Sequence, residues 1–260
     1  MASKFAVSRD GGRIAYEVAG DGATLILLHG GGQDHHVWRT TGWMERLAGR
    51  FQVIAMDLRG HGESWKPIDS AAYNIDQMCD DILCVADAEG ASRFRLWGYS
   101  YGGNIGRYLA ARSDRVECFA MMGVSFGPAA NETFREMIRE MQKRWEPVLA
   151  ADSAGKLDIE EITEQDRSAW RSGQVRVMLA WLGALLDWPP IEPADMRCPT
   201  LWIIGTSNAS AMRGVNTYQA HLLNTKVRLS LVERLTHSEE LERVDQMLPE
   251  LLRFTAITPT

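Results

Sequence analysis

Gly98-Tyr99-Ser100-Tyr101-Gly102 places a serine between two glycines, each two residues away. A serine hydroxyl becomes a nucleophile when a turn exposes it and a neighbouring base takes its proton. Glycine at both flanks suits a turn so sharp that a side chain there would strike the adjacent backbone. The stretch follows an apolar run at 94–97 and precedes a helix-like run from 103. Ser100 would therefore stand at a strand-to-helix junction, in front of the unpaired N–H groups of a helix start. A base is available far away in sequence. His237 comes just after the run Val227–Val232 and opens the last helical pattern, where Thr236 and Glu239 have T-x-x-E capping-box spacing. Upstream, the run 24–28 ends in His29-Gly30-Gly31-Gly32. Glycines there let backbone N–H groups approach the oxygen that turns negative in acyl transfer.

Such groups need a rigid frame, and the rest of the chain reads as one. Residues 4–8 and 13–18 flank Asp10-Gly11-Gly12 as a hairpin. The continuous apolar runs 24–28, 52–56, 94–97, 116–123, 200–204 and 227–232 read as strands buried on both faces. Helical patterns at 43–48, 75–88, 103–112, 212–223 and 239–254 alternate with them. The pattern predicts an α/β fold: a mostly parallel eight-stranded sheet flanked by helices. Residues 126–197 break the rhythm with about four helical patterns and no convincing strand. Phe134, Met137, Ile138, Met141, Trp145 and Leu149 form an amphipathic stripe, and Pro189-Pro190 and Pro193 end the segment. We read it as a helical cap inserted into a core of 1–125 and 198–260. Four of the nine tryptophans (Trp145, Trp170, Trp181, Trp188) lie in it. They either pack the cap or present apolar surface to a ligand; Trp145 and Trp181 are the pocket candidates, with Gly32 and His36. The tail, 255–260, is expected to fray.

Composition narrows the partners. With 260 residues and a formal charge of −6, the chain lacks the basic footprint of a nucleic-acid binder. It has no apolar run of membrane-spanning length and no secretory h-region after Met1. The four cysteines lack metal-ligand spacing and suit a reducing compartment, so a cytoplasmic protein without metal is the expectation.

H-G-G-G at 29–32, D-x-R-G-H-G-x-S at 57–64 and G-Y-S-Y-G-G at 98–103, with a late histidine followed five residues on by Glu242, closely resemble the α/β-hydrolase fold superfamily. The resemblance runs from about residue 5 to 254. It implies Ser100 as nucleophile, His237 as general base, the N–H groups of Gly31 and Tyr101 as oxyanion hole, no cofactor, and a small-molecule substrate. It also implies an aspartate in the loop after the strand that follows the cap. Here that loop is Gly205-Thr206-Ser207-Asn208, and the other position relatives use, near Gly123, has no acid either. Asparagine can accept an Nδ1–H bond but cannot neutralise an imidazolium; in a serine protease that change costs about 10⁴ in turnover. On this reading Asn208→Asp would raise activity, unless another carboxylate such as Glu132 or Glu233 serves.

The resemblance therefore leaves three readings: a serine hydrolase of a small carboxylic ester, lactone or thioester; a ligand receptor or pseudoenzyme; and non-hydrolytic chemistry, such as a cofactor-independent oxygenase or C–C lyase. Among the remaining polar residues, His29, His61 and Asp57 are read as turn-shaping. His35 could line a pocket, His221 lies on a surface-type helix, and Asp80-Asp81 reads as a wet helix face.

Overall fold

The computed structural model describes residues 3–257. The apolar runs form eight strands: β1 (Lys4–Val7), β2 (Arg13–Ala19), β3 (Ala23–Leu28), β4 (Phe51–Met56), β5 (Phe94–Tyr99), β6 (Val116–Met122), β7 (Thr200–Gly205) and β8 (Val227–Val232). They make one sheet in the order β1-β2-β4-β3-β5-β6-β7-β8. β1 pairs antiparallel with β2, and β2 with β4; every later neighbour is parallel. The helices are α1 (Val37–Thr40), α2 (Trp43–Leu47), α3 (Ile75–Ala88), α4 (Tyr101–Arg112), α5 (Glu132–Ser153), α6 (Glu164–Arg171), α7 (Gln174–Ala184), α8 (Ala209–Tyr218), α9 (Glu239–Glu242) and α10 (Val244–Ile257). The α/β class and the mostly parallel eight-stranded sheet are those the sequence predicts.

The central strands are apolar throughout because both of their faces are covered, and Leu25, Ile26, Leu27 and Leu28 are all fully buried. One core cluster joins β3, β4 and β5 to the C-terminal helices through Trp38, Trp43, Trp97, Met247 and Leu251. Trp43 meets Trp38 and Trp97 edge-on, at 6.0 and 6.3 Å. Its indole N–H also donates to Leu241 O at 2.7 Å. A continuing helix would need that carbonyl for the amide four residues on. The chain instead breaks at Arg243 (φ −90°, ψ 61°), so the single helix expected at 239–254 is the pair α9 and α10. α10 runs on through Ile257, so residues 255–257 are helical where fraying was expected; 258–260 lie outside the described residues.

Arg59 corrects another expectation. Its fully buried guanidinium donates to both oxygens of Asp81 (2.7 and 2.8 Å), to Asp10 and to Ser8. Asp81 is therefore a buried ion-pair partner rather than part of a wet face.

The chain divides into two compact units. Lys66–Asn74 and Pro128–Pro189 form one, and the remaining described residues form the other. The helical segment is thus shorter than 126–197: a backbone bridge between Gly127 and Ile191 returns the flanks to the larger unit. The smaller unit has its own core of Trp145, Ile162, Trp170, Val175 and Leu179. Trp145 and Trp170 stack at 5.8 Å, and the Arg176 guanidinium lies 4.0 Å from the Trp170 ring centre. Trp188 donates its indole N–H to Tyr73 O at 3.1 Å, tying the two segments together. This corrects the pocket expectation for Trp145, because burying a large ring in a small core takes its surface away from any ligand. Trp181 is half-buried.

Candidate active site

Ser100 alone turns the chain between β5 and α4. Its φ of 52° and ψ of −117° lie where a side chain is strained. The flanking glycines are required by contact. A Cβ on Gly102 would sit 2.4 Å from Leu28 O, and one on Gly98 2.5 Å from Gly102 O. The Ser100 amide donates to Met122 O and the Gly102 amide to His29 O, both at 2.9 Å, locking the turn to its neighbours on either side. Tyr101 is the first residue of α4, so its N–H belongs to a helix start. Gly31 and Gly32 are exposed at the end of the loop that Gly102 fastens, and Gly32 takes φ +75°.

His237 reaches this turn from the loop after β8. Its Nε2 lies 3.0 Å from Ser100 Oγ. Tyr99 stacks on the ring at 5.0 Å and donates its hydroxyl to His237 O at 2.8 Å. Burial, and then the charge of Glu240, hold the Tyr99 phenol above its ordinary pKa, so it remains a neutral donor. The expected capping box forms by half. Glu239 accepts from the Thr236 amide at 3.0 Å, but the Thr236 hydroxyl donates to that same carboxylate instead of accepting from a helix amide.

The other ring nitrogen brings the main departure. Asn208 lies 3.1 Å from His237 Nδ1, but through Nδ2, its donor atom. Its oxygen accepts from the Ala211 amide at 3.1 Å and caps α8. This corrects the expectation that Asn208 accepts the Nδ1 proton: a helix N-terminus has already claimed its one acceptor. The carboxylate at Nδ1 belongs to Glu240, whose Oε2 is 3.3 Å away. Glu240 is fully buried. Its Oε1 accepts from the Gly205 amide at 2.7 Å, and Asn208 Nδ2 donates to both of its oxygens at 3.2 and 3.1 Å. Glu132 is exposed and paired with Arg139, and Glu233 is exposed, so neither meets the ring.

The loops after β7 and β8 are stitched together. The Ser207 amide donates to Leu235 O, the Thr206 amide to Val232 O, and the Arg234 amide to Thr206 Oγ1. Gly123, ending β6, supplies the room: a Cβ there would meet Glu240 Oε2 at 2.7 Å and His237 Cε1 at 2.9 Å. Glu240 escapes a sequence reading because Glu239, Glu240, Glu242 and Arg243 look like one solvated helix end. The available signal is phase: position 240 lies four, seven and eleven residues before the buried Val244, Met247 and Leu251.

The remaining candidates hold turns together. His29 donates from Nδ1 to Gly30 O (2.7 Å) and accepts the Leu58 amide on Nε2 (3.0 Å). Burial, then His61, push it well below the usual imidazole pKa, so it is neutral. His35 is buried against Asp57 (Nδ1 to Oδ1 2.8 Å) rather than lining a pocket, and His36 is exposed with its ring 4.0 Å from that of His35. Glu17, His35 and His36 could bring ligand atoms within 4.8 Å of one another, but Glu17 is paired with Arg39 and His35 with Asp57. His221 is exposed beside Glu192. Among the described residues, no helix is long and apolar enough to cross a membrane.

Comparison with known proteins agrees with the fold. A family profile for the alpha/beta hydrolase fold matches residues 23–228. The chain is 38% identical to a fluoroacetate dehalogenase from Burkholderia sp. over 111 residues, 41% of this chain and 36% of that protein. It is 36% identical to a soluble epoxide hydrolase from Corynebacterium sp. strain C12 over 101 residues, 39% of this chain and 34% of that protein. The match thus spans about a third of the length of these relatives. Among solved structures, an esterase from Rhodococcus sp. ECU1013 superposes with a TM-score of 0.69 at 24% identity, over the whole of both chains. A metagenomic epoxide hydrolase from a hot environment gives 0.72 at 21% identity, over 99% of each.

Proposed function

Because the chain belongs to the alpha/beta hydrolase fold family, we propose that it is a hydrolase that cleaves a small carboxylic ester, lactone or thioester through an acyl-enzyme on Ser100. The observation that carries this reading is the 3.0 Å contact between Ser100 Oγ and His237 Nε2 at a strained, glycine-flanked turn.

The steps follow from the donors and acceptors present. Ser100 Oγ attacks the carbonyl carbon while its proton passes to His237 Nε2. The carbonyl oxygen becomes an oxyanion, held by the N–H groups of Gly31 and Tyr101, the second aided by its place at the start of α4. Collapse expels the alcohol or thiol, which takes the proton from His237. Water then attacks the acyl-enzyme, gives its proton to His237, and the carboxylic acid leaves as Ser100 recovers its hydrogen. Each proton moves between named atoms, and the scheme uses no cofactor.

The test is covalent. A fluorophosphonate probe should label Ser100, and the chain should hydrolyse short p-nitrophenyl esters. Ser100→Ala should lose both activities, with kcat falling by about 10⁴ or more, and keep its fold. Substantial esterase activity in that variant would exclude Ser100 as the nucleophile. A chain that binds small ligands but neither labels nor turns over would be a receptor on a hydrolase frame. Oxygen uptake or C–C cleavage without an acyl-enzyme would indicate other chemistry.

A further inference from the structure

We propose that Glu240 is the carboxylate that orients His237 and stabilises its imidazolium, and that Asn208 is the clamp that holds Glu240 in place. This rests on Ser100 and His237 acting as set out above. Neither residue touches the reacting atoms; both are positioning residues that act through the histidine.

Among the described residues, the Glu240 carboxylate accepts from the Gly205 amide and from Asn208 Nδ2, and its Oε2 lies 3.3 Å from His237 Nδ1. An ionised carboxylate accepts and does not donate, which is what that environment requires. On the proposed pairing Nδ1 carries the ring proton toward Glu240, so Nε2 presents a lone pair to the Ser100 hydroxyl. That is the tautomer general-base catalysis needs.

Asn208 cannot do this work itself. Its oxygen is committed to the Ala211 amide, so it turns only N–H groups toward Nδ1 and cannot accept the ring proton. Directed at both Glu240 oxygens, that nitrogen instead fixes the carboxylate against rotation. The rest of the surroundings is shaped to admit Glu240. Gly123 leaves the volume that Oε2 and the ring edge occupy. Trp43 anchors α9 by its bond to Leu241 O, one residue from Glu240. The titratable and polar groups facing the ring are Glu240, Tyr99, Asn208 and Ser100, and Tyr99 stays neutral. Among the described residues, Glu240 is therefore the charge beside the ring that can balance a proton arriving on Nε2.

Three variants test the assignment. Glu240→Gln keeps the shape and should lower kcat by about 10³–10⁴ with little change in KM. Because the carboxylate favours the imidazolium, the acidic limb of the kcat/KM profile should move to lower pH in this variant. Asn208→Asp should lower turnover rather than raise it, since a second carboxylate repels Glu240 and removes its donors. The double variant Glu240→Gln with Asn208→Asp exchanges acid and amide, still caps α8, and should recover at least about tenfold over Glu240→Gln alone. If Glu240→Gln turns over close to wild type with an unmoved acidic limb, or Asn208→Asp gains activity, the assignment is overturned. The downfield Nδ1–H proton resonance gives a reading independent of turnover. It should be present in wild type and lost or shifted upfield in Glu240→Gln, and its persistence unchanged would refute the pair. Failure of wild type to label at Ser100 sinks the hydrolase reading, while the resonance still decides the pairing.

Discussion

Ser100 holds its φ of 52° only because its amide and that of Gly102 are tied to β6 and to His29. A non-glycine residue in such a region costs about 1–3 kcal/mol, and on the proposed mechanism that cost presents the hydroxyl to a substrate. Ser100→Gly should therefore raise stability by about 0.5–2 kcal/mol in urea unfolding, after glycine's entropic cost is subtracted, while abolishing probe labelling. Ser100→Ala removes the hydroxyl but keeps the Cβ, so it should not gain. An unfolding midpoint for Ser100→Gly at or below wild type would mean that the turn is unstrained. Asn208 shows the complementary lesson. Its role follows from which atoms its neighbours have already taken, and an amide whose oxygen caps a helix has only donors left for the histidine.

At the scale of elements, the loop after β4 is held by one carboxylate. Asp57 accepts from the His35 amide at 2.7 Å, from His35 Nδ1 at 2.8 Å and from the Glu63 amide at 2.7 Å, all but out of solvent. Burial opposes ionisation of both partners, but their bond and charges outweigh it: the pKa of His35 is raised and that of Asp57 lowered. The signs define a window. The Asp57 contribution is present above its unfolded pKa and is lost as pH falls through the lowered folded value. The His35 contribution is present below its unfolded pKa and is lost as pH rises through the raised folded value. Asp57→Asn should cost about 3–5 kcal/mol inside that window, and the difference from wild type should shrink toward both acid and alkali. Urea unfolding of both proteins across pH checks this; a constant difference would show that the pair is not ionised.

The whole molecule is two units of unequal resources. One cluster in the smaller is built on Trp145, Ile162, Trp170, Val175 and Leu179, with Trp145 and Trp170 stacked. Replacing a buried tryptophan with alanine costs about 3–5 kcal/mol, which falls on the cluster that Trp145 and Trp170 centre. Trp145→Ala should therefore accelerate amide exchange through Pro128–Pro189 while β3, β5 and β6 stay protected. Equal loss of protection in the central strands would show that the units open together.

Strand runs, the serine turn and the late histidine were legible in the sequence because each has a local cause. A strand buried on both faces must be apolar along its length, and a turn whose flanks touch backbone must have glycine there. The helical insertion showed in the same way, as a loss of strand signal. Its boundaries did not, because Gly127 meets Ile191 across more than sixty residues of chain. Other contacts were likewise decided only in three dimensions: Asp81 buried on Arg59, Trp145 enclosed by its own unit, and Glu240 rather than Glu132 or Glu233 as the carboxylate beside the histidine. Each depends on partners far apart in the chain, and a side chain's type does not reveal which neighbour will claim its donors and acceptors. The sequence by itself determined the frame and the serine turn and late histidine within it, since periodicity and close approach leave local marks. Only the tertiary structure decided which carboxylate faces Nδ1, because that depends on where the loops after β7 and β8 meet the space left by Gly123.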